Sequence, residues 1–259
     1  MTYLNDCSYS HEVCIASVRD HYKFLATMYL HEEDITYPPE EDWATISSEI
    51  FQDMDKTAEI ISLLRHLPSI RLPSNNPFNQ TQGAPWCYFS DWQNIGALLE
   101  HNMDGKSLKL ASEVPDICDD APAHVIGIKN GGRDNRLGKI YWPDCPGEIS
   151  NNPSYGHMQI FDDPYEWALE NEAEWRDIAA RWTVKGFFEV LKDQFLNLKF
   201  IPAIPLYVID VYAWLIPESL VERLQHGWPD MGNFQKLECL EAVETTMEQQ
   251  SRTDRQVTM

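Results

Sequence analysis

Apolar positions recur along this chain at two different periods, and the change from one to the other sketches the fold. From Ser10 to Leu30, Cys14, Val18, Tyr22, Leu25 and Tyr29 fall three or four residues apart, the spacing of one helical face. A proline-bearing acidic loop follows, Tyr37-Pro-Pro-Glu-Glu-Asp. A second helix carries Ala58, Ile61 and Leu64/Arg65, with Asp55 as its expected cap and Pro68 as its stop. The stretch Pro68 to Pro85, rich in Pro, Asn, Ser and Gln, reads as one long loop. Ser90-Asp-Trp-Gln93 has capping-box spacing and opens a helix bearing Trp92, Ile95, Leu98/Leu99 and Met103, which Gly105 ends.

The period then shortens. Ser107–Ala111, Ala123–Lys129, Leu137–Trp142 and His157–Phe161 read as strands. After them Pro164 suits the first turn of a long helical region. Trp167, Trp175, Ile178/Ala179, Trp182, Phe188 and Leu191 mark its buried face, and Gly186 is a point where it could break. Ile204–Ala213 reads as a further strand, and Pro217–His226 and Asn233–Gln249 as closing helices. Helices, then strands, then helices predict an α+β fold, a single domain whose mostly antiparallel sheet is flanked by N- and C-terminal helices.

The segment His124 to Ile149 is the most distinctive. Its two β-rich runs flank Asn130-Gly131-Gly132-Arg133-Asp134-Asn135, where Asn-Gly and Gly-Gly supply the positive φ values of a reversal. This predicts a hairpin pairing Val125–Lys129 with Leu137–Trp142, with a charged tip at Arg133 and Asp134 and an aromatic exit at Tyr141 and Trp142. Arg133 and Asp134 could satisfy each other or present a bidentate fork to a partner. Trp86, in a loop context, joins Tyr141 and Trp142 as an expected surface contact. Other Trp residues read as core.

Composition narrows the function classes. A chain of 259 residues with 43% hydrophobic and 12% aromatic residues can bury a large core. Its 41 acidic and 20 basic residues leave a net charge of −21, which disfavours nucleic acid and anionic membranes and mainly serves solubility. Six dispersed cysteines without a CxxC pair, no apolar leader and no membrane-length apolar run place the expected compartment in the cytoplasm. Asn79-Gln80-Thr81 is a glycosylation sequon by chance in that setting. Cys7, His11 and Cys14 lack a fourth ligand, so no metal is expected, and no phosphate loop or dinucleotide fingerprint implies a cofactor. His124 on a β-rich run reads as a half-buried histidine rather than a base. Asp134, Asp144, Glu148, Asp162 and Asp163 gather around the hairpin, where solvated turn residues are the better reading than paired acid and base.

Three elements together resemble a known family. These are the leucine-proline step SLLRHLP within Ile61–Pro68, the hairpin NGGRDNRLGKIYW, and Ile178-Ala179 followed by VKGFFEVL over Val184–Leu191. Their order resembles the SUKH superfamily (Smi1/Knr4-like), α+β modules found as fungal cell-wall regulators and bacterial immunity proteins. The tail Leu224-Gln-His-Gly-Trp-Pro-Asp230 with Glu238-Cys239 is similar to a family of filamentous-fungal proteins. The resemblance implies a SUKH-like core over residues 51–200, an N-terminal helical extension over 1–50, a C-terminal strand and helices over 201–250, and a frayed tail over 251–259. It implies no active site. The expected function is therefore a non-enzymatic, intracellular protein-interaction module that binds a protein partner through the hairpin. The alternative is a small cofactor-free enzyme, an isomerase, cyclase or hydrolase acting on a small molecule between Trp and Tyr walls with carboxylates.

Overall fold

The structure, a computed structural model, describes residues 2–3, 7–54, 56–71, 82–85, 87–88, 91–101, 104–106, 125–128, 131–134, 139–142, 145–151, 159–168, 170–204, 207–210, 225–243 and 245–246. They form an α+β fold whose strand pairs are antiparallel with one exception. That exception is β1 (Thr2–Tyr3), which runs parallel to β9 (Ile160–Phe161).

Helix α1 (His11–Met28) follows the predicted period. The Ser10 hydroxyl accepts from the Val13 amide at 3.3 Å, and Cys14, Val18, His21, Tyr22 and Leu25 form the buried face. Leu25 and Met28 are fully enclosed, and burial of each such side chain contributes about 1.5–3 kcal/mol. α1 packs along α6 (Val184–Leu196) and touches α2 (Ala58–His66). The cap of α2 is Thr57, accepting from the Ile60 amide at 3.3 Å, where Asp55 was expected. In α3 (Trp92–Glu100) the capping residue is Asp91, accepting from Asn94 at 3.1 Å, one position after the expected Ser90. Either carboxylate or hydroxyl meets the need of unpaired first-turn amides, so sequence spacing alone leaves the choice open.

Part of the predicted Pro68–Pro85 loop is ordered as strand. β3 (Ser69–Ile70) pairs with β2 (Ile35–Thr36), and β4 (Gln82–Ala84) with β5 (Cys87–Tyr88). The phenol of Tyr29 donates to the Gln82 carbonyl at 2.5 Å, tying this region to the end of α1.

The main sheet has the order β10 (Ala180–Thr183), β8 (Lys139–Trp142), β7 (Gly131–Asp134), β6 (Val125–Ile128), all antiparallel. Its strands correct the expected hairpin. β6 (Val125–Ile128) pairs with β7 (Gly131–Asp134), and β7 pairs in turn with β8 (Lys139–Trp142). Gly131–Asp134, four of the six residues read as a turn, form a third strand, and Val125–Ile128 pairs with them rather than with Lys139–Trp142. Extended glycine is permitted, and a middle strand satisfies backbone groups on both sides that a long turn would leave to water. The predicted helical region after Pro164 is also divided. A turn of 3₁₀ helix (Pro164–Glu166) and α5 (Glu170–Ile178) come first, then β10 (Ala180–Thr183) pairs with β8, and α6 follows. The break lies before Gly186, which sits in the first turn of α6 and donates its amide to the capping Thr183 hydroxyl at 3.1 Å. Ile178, read as a core residue, is 73% exposed, whereas Ala179 is buried. In place of one strand over Ile204–Ala213 there is a hairpin of β11 (Phe200–Ile204) and β12 (Tyr207–Asp210). A short α4 (Gly147–Ser150) precedes β9, and a final helix occupies 236–243.

One buried hydrophobic cluster runs from Cys14 to Leu240 and takes in α1, α2, α6, β8 and β10. Ser107–Ala111, most of Pro217–His226 and the tail 251–259 lie outside the described residues.

Close approach dictates the residue at Gly96. A Cβ there would overlap the Thr45 carbonyl oxygen, a backbone atom that cannot swing aside. Replacing Gly96 by Ala is expected to destabilise the protein by about 1–3 kcal/mol by overpacking, although Ala favours helix intrinsically. Urea unfolding of Gly96→Ala checks this, and a stabilised variant would show that the contact is slack.

Candidate functional site

Strand alternation gives β8 two different faces. Ile140 and Trp142 face the main core. Trp142 is half-buried, with its ring 6.5 Å from Trp182 and 5.9 Å from Phe187. Lys139 and Tyr141 face the other way, into a smaller cluster that includes Trp175 and Ala179. Register extends both rows across the sheet. Asp134, Lys139 and Thr183 are aligned, as are Arg133, Ile140 and Trp182, and Gly127, Gly132, Tyr141 and Arg181.

A buried polar centre sits on the Lys139 side. Lys139 Nζ lies 2.8 Å from Asp162 Oδ2, and the two side chains are 0% and 1% exposed. The Tyr141 hydroxyl donates to the same oxygen at 3.2 Å, and Trp167 Nε1 donates to Oδ1 at 2.9 Å. The chain places these groups locally. Asp162 directly follows β9, and Asp163 caps the Pro164 turn by accepting from the Tyr165 amide at 3.1 Å, which sets Trp167 within reach. α5 adds Arg176, which is fully buried with its guanidinium carbon 5.1 Å from the Tyr141 ring centre, 5.0 Å from Trp167 and 4.9 Å from Trp175. Lys139 lies 5.2 and 5.1 Å from the Tyr141 and Trp167 ring centres. The centre is thus an ion pair and a second cation enclosed by three aromatic rings.

Burial pushes the Asp162 carboxyl upward. Hydrogen bonds from Lys139 and Trp167, the Lys139 charge and the Tyr141 hydroxyl outweigh it and hold the group below the ordinary carboxylate value. A carboxylate held ionised, with both oxygens accepting hydrogen bonds from three donors, is poorly suited to general acid or base work near neutrality. Its evident role is mechanical, joining β8, the chain after β9 and the Pro164 turn. Beside it, Gln159 links two elements. Its amide nitrogen donates to the Ser150 carbonyl at 2.5 Å, and its oxygen accepts from the Arg181 amide at 3.3 Å.

The candidate contact residues are dispersed by the structure. Arg133 and Asp134 occupy the middle strand β7 rather than a turn, and their side chains lie outside the described residues. Tyr141 is fully buried and bonded to Asp162, so it is interior and not an exposed contact. Trp142 packs against the core, and Trp86 lies outside the described residues, as do His124 and Asp144. Asp162, read as a solvated turn residue, is instead the hub of the buried centre. Lys139 and Arg176 were missed. The available signal was a lysine alternating with Tyr141 in a strand with no polar face.

Cys14 is buried in the core, and the His11 ring packs edge-on against His66 at 5.2 Å. Among the described residues, no group of three or more His, Cys, Asp or Glu side chains could hold a metal ion, and no helix is long and apolar enough to cross a membrane. Compared with family models, curated proteins and solved structures, the chain matches none.

Breaking this centre from one side is expected to be expensive. Asp162→Asn removes the carboxylate charge that faces buried Lys139, a change of about 3–5 kcal/mol. The double variant Lys139→Met, Asp162→Leu removes both charges and is expected to recover most of that loss. Urea denaturation of the three proteins measures it, and near-wild-type stability of Asp162→Asn would mean that the pair is not a clamp.

Proposed function

We propose that this protein is a non-enzymatic, SUKH-like interaction module that binds a protein partner along the β6–β7 side of its main sheet. The observation that carries the reading is the sheet order. Among the described residues β6 ends the ladder, so half of its backbone donors and acceptors point away from β7. An extended segment of a partner would add there as a further strand, with main-chain hydrogen bonds giving affinity. Arg133 and Asp134 on the neighbouring strand would then supply charge selectivity, and the net charge of −21 favours a partner with basic flanks. The consumption of Asp162, Lys139 and Tyr141 in an internal clamp supports binding over catalysis.

Affinity capture with the wild-type chain identifies the partner, and Kd is then measured for wild type and for Arg133→Ala, Asp134→Ala. The double variant is expected to weaken binding about tenfold, about 1.4 kcal/mol. Its stability is expected to fall by no more than about 1 kcal/mol, the span of strand preferences. Unchanged affinity, or no captured partner, overturns the reading.

A further inference from the structure

Helix α1 begins at His11 and α2 ends at His66. The fold brings these two helix termini together, with the imidazole ring centres 5.2 Å apart and the ring planes at 79°. Both residues are half-buried. The Nε2 atom of His11 is enclosed without a hydrogen-bond partner. An edge-to-face ring contact accounts for the positions of the two rings, but it leaves this nitrogen unsatisfied, which buried polar atoms rarely are.

His66 is prepared in a different way. Its Nδ1 lies 2.7 Å from the Ser62 carbonyl, one turn back in α2. A carbonyl only accepts, so Nδ1 carries the proton and, in the neutral ring, Nε2 keeps its lone pair. A backbone carbonyl behind one ring nitrogen is the usual support for an imidazole that binds a metal through the other.

The separation of the rings fits the same purpose. Two imidazoles on one tetrahedral zinc, with Zn–N bonds of about 2.0–2.1 Å, hold their ring centres about 5 Å apart. Rotation about each Zn–N bond leaves the angle between the rings free, so α1 and α2 need not move closer. The free carbonyls at the end of α2 favour a cation, and the free amides at the start of α1 oppose it. The neighbouring cation, Arg65, is paired with Asp42 at 2.7 Å, and Glu12 is exposed in the first turn of α1. A net charge of −21 raises the local concentration of cations.

We propose that His11 and His66 form a two-imidazole site for a divalent transition-metal ion, zinc in the first instance, which clips the start of α1 to the end of α2.

Among the described residues the pair falls short of the three side chains that would enclose a metal. Water therefore completes the coordination shell, and the affinity is micromolar rather than nanomolar. Imidazole suits zinc, copper and nickel, whereas magnesium and calcium prefer oxygen. The sequence places His11 near Cys7 and Cys14, but Cys14 is 1% exposed and belongs to the core, and the second ligand comes from α2 instead. His11 and His66 meet only in the folded chain, so the ion binds the folded state preferentially and stabilises it.

Calorimetric titration of the untagged, reduced full chain with zinc chloride tests the site. One equivalent of Zn2+ is expected to bind with a micromolar Kd and to raise Tm, and magnesium chloride is expected to do neither. His66→Gln and His11→Gln are each expected to weaken zinc binding at least about tenfold and to remove the rise in Tm. Cys7→Ser, which removes the half-buried thiol that precedes α1, is expected to leave Kd within about threefold of wild type. No saturable binding, an affinity that His66→Gln leaves unchanged, or an affinity that Cys7→Ser alone abolishes overturns the proposal. Should His11→Gln not fold, retained zinc affinity in His66→Gln still overturns it.

Discussion

Burial of strand β8 on both faces is the constraint on which the rest of this fold depends. Lys139, Ile140 and Tyr141 are all fully enclosed. A strand in that position has no solvent side on which to place a polar residue, so its lysine must find a counter-charge inside the protein. Asp162 supplies it, and the aromatic rings of Tyr141, Trp167 and Trp175 exclude water around it. The position of β9, the Pro164 turn and the orientation of α5 all follow from meeting that requirement.

The helical side is held by different means. α1 buries an apolar stripe against α6, and its C-terminal carbonyls receive the Lys236 ammonium at 2.6 and 2.5 Å from a residue more than 200 positions away. A lysine at that end meets the partial negative charge of the helix terminus as well as its unpaired carbonyls. Gly227 reverses the chain shortly before that helix with φ of +94°, and a Cβ there would press on the Asn233 carbonyl. The helix over 236–243 is thereby tied to the end of α1.

These two modes of closure respond differently to their surroundings. The sheet side rests on a charge pair in which both carboxylate oxygens accept hydrogen bonds, so geometry is its weak point. The helix side rests on apolar packing between α1 and α6, so shape is what holds it.

Much of this was written in local sequence. The face of α1, the existence of β6 and β8 and the α+β class all follow from periodicity, capping residues and turn chemistry, which act over a few residues. What local pattern left undecided depended on distant partners. Gly131–Asp134 carries the composition of a turn but became a strand because β6 and β8 lie on either side of it. Ala180–Thr183 continues a helical period but was drawn into the sheet by the free edge of β8. Lys139, Asp162 and Arg176 look like surface residues in the sequence. Only the tertiary structure makes them a buried centre, because ion pairing across 23 residues and stacking on rings from three elements carry no periodic trace along the chain.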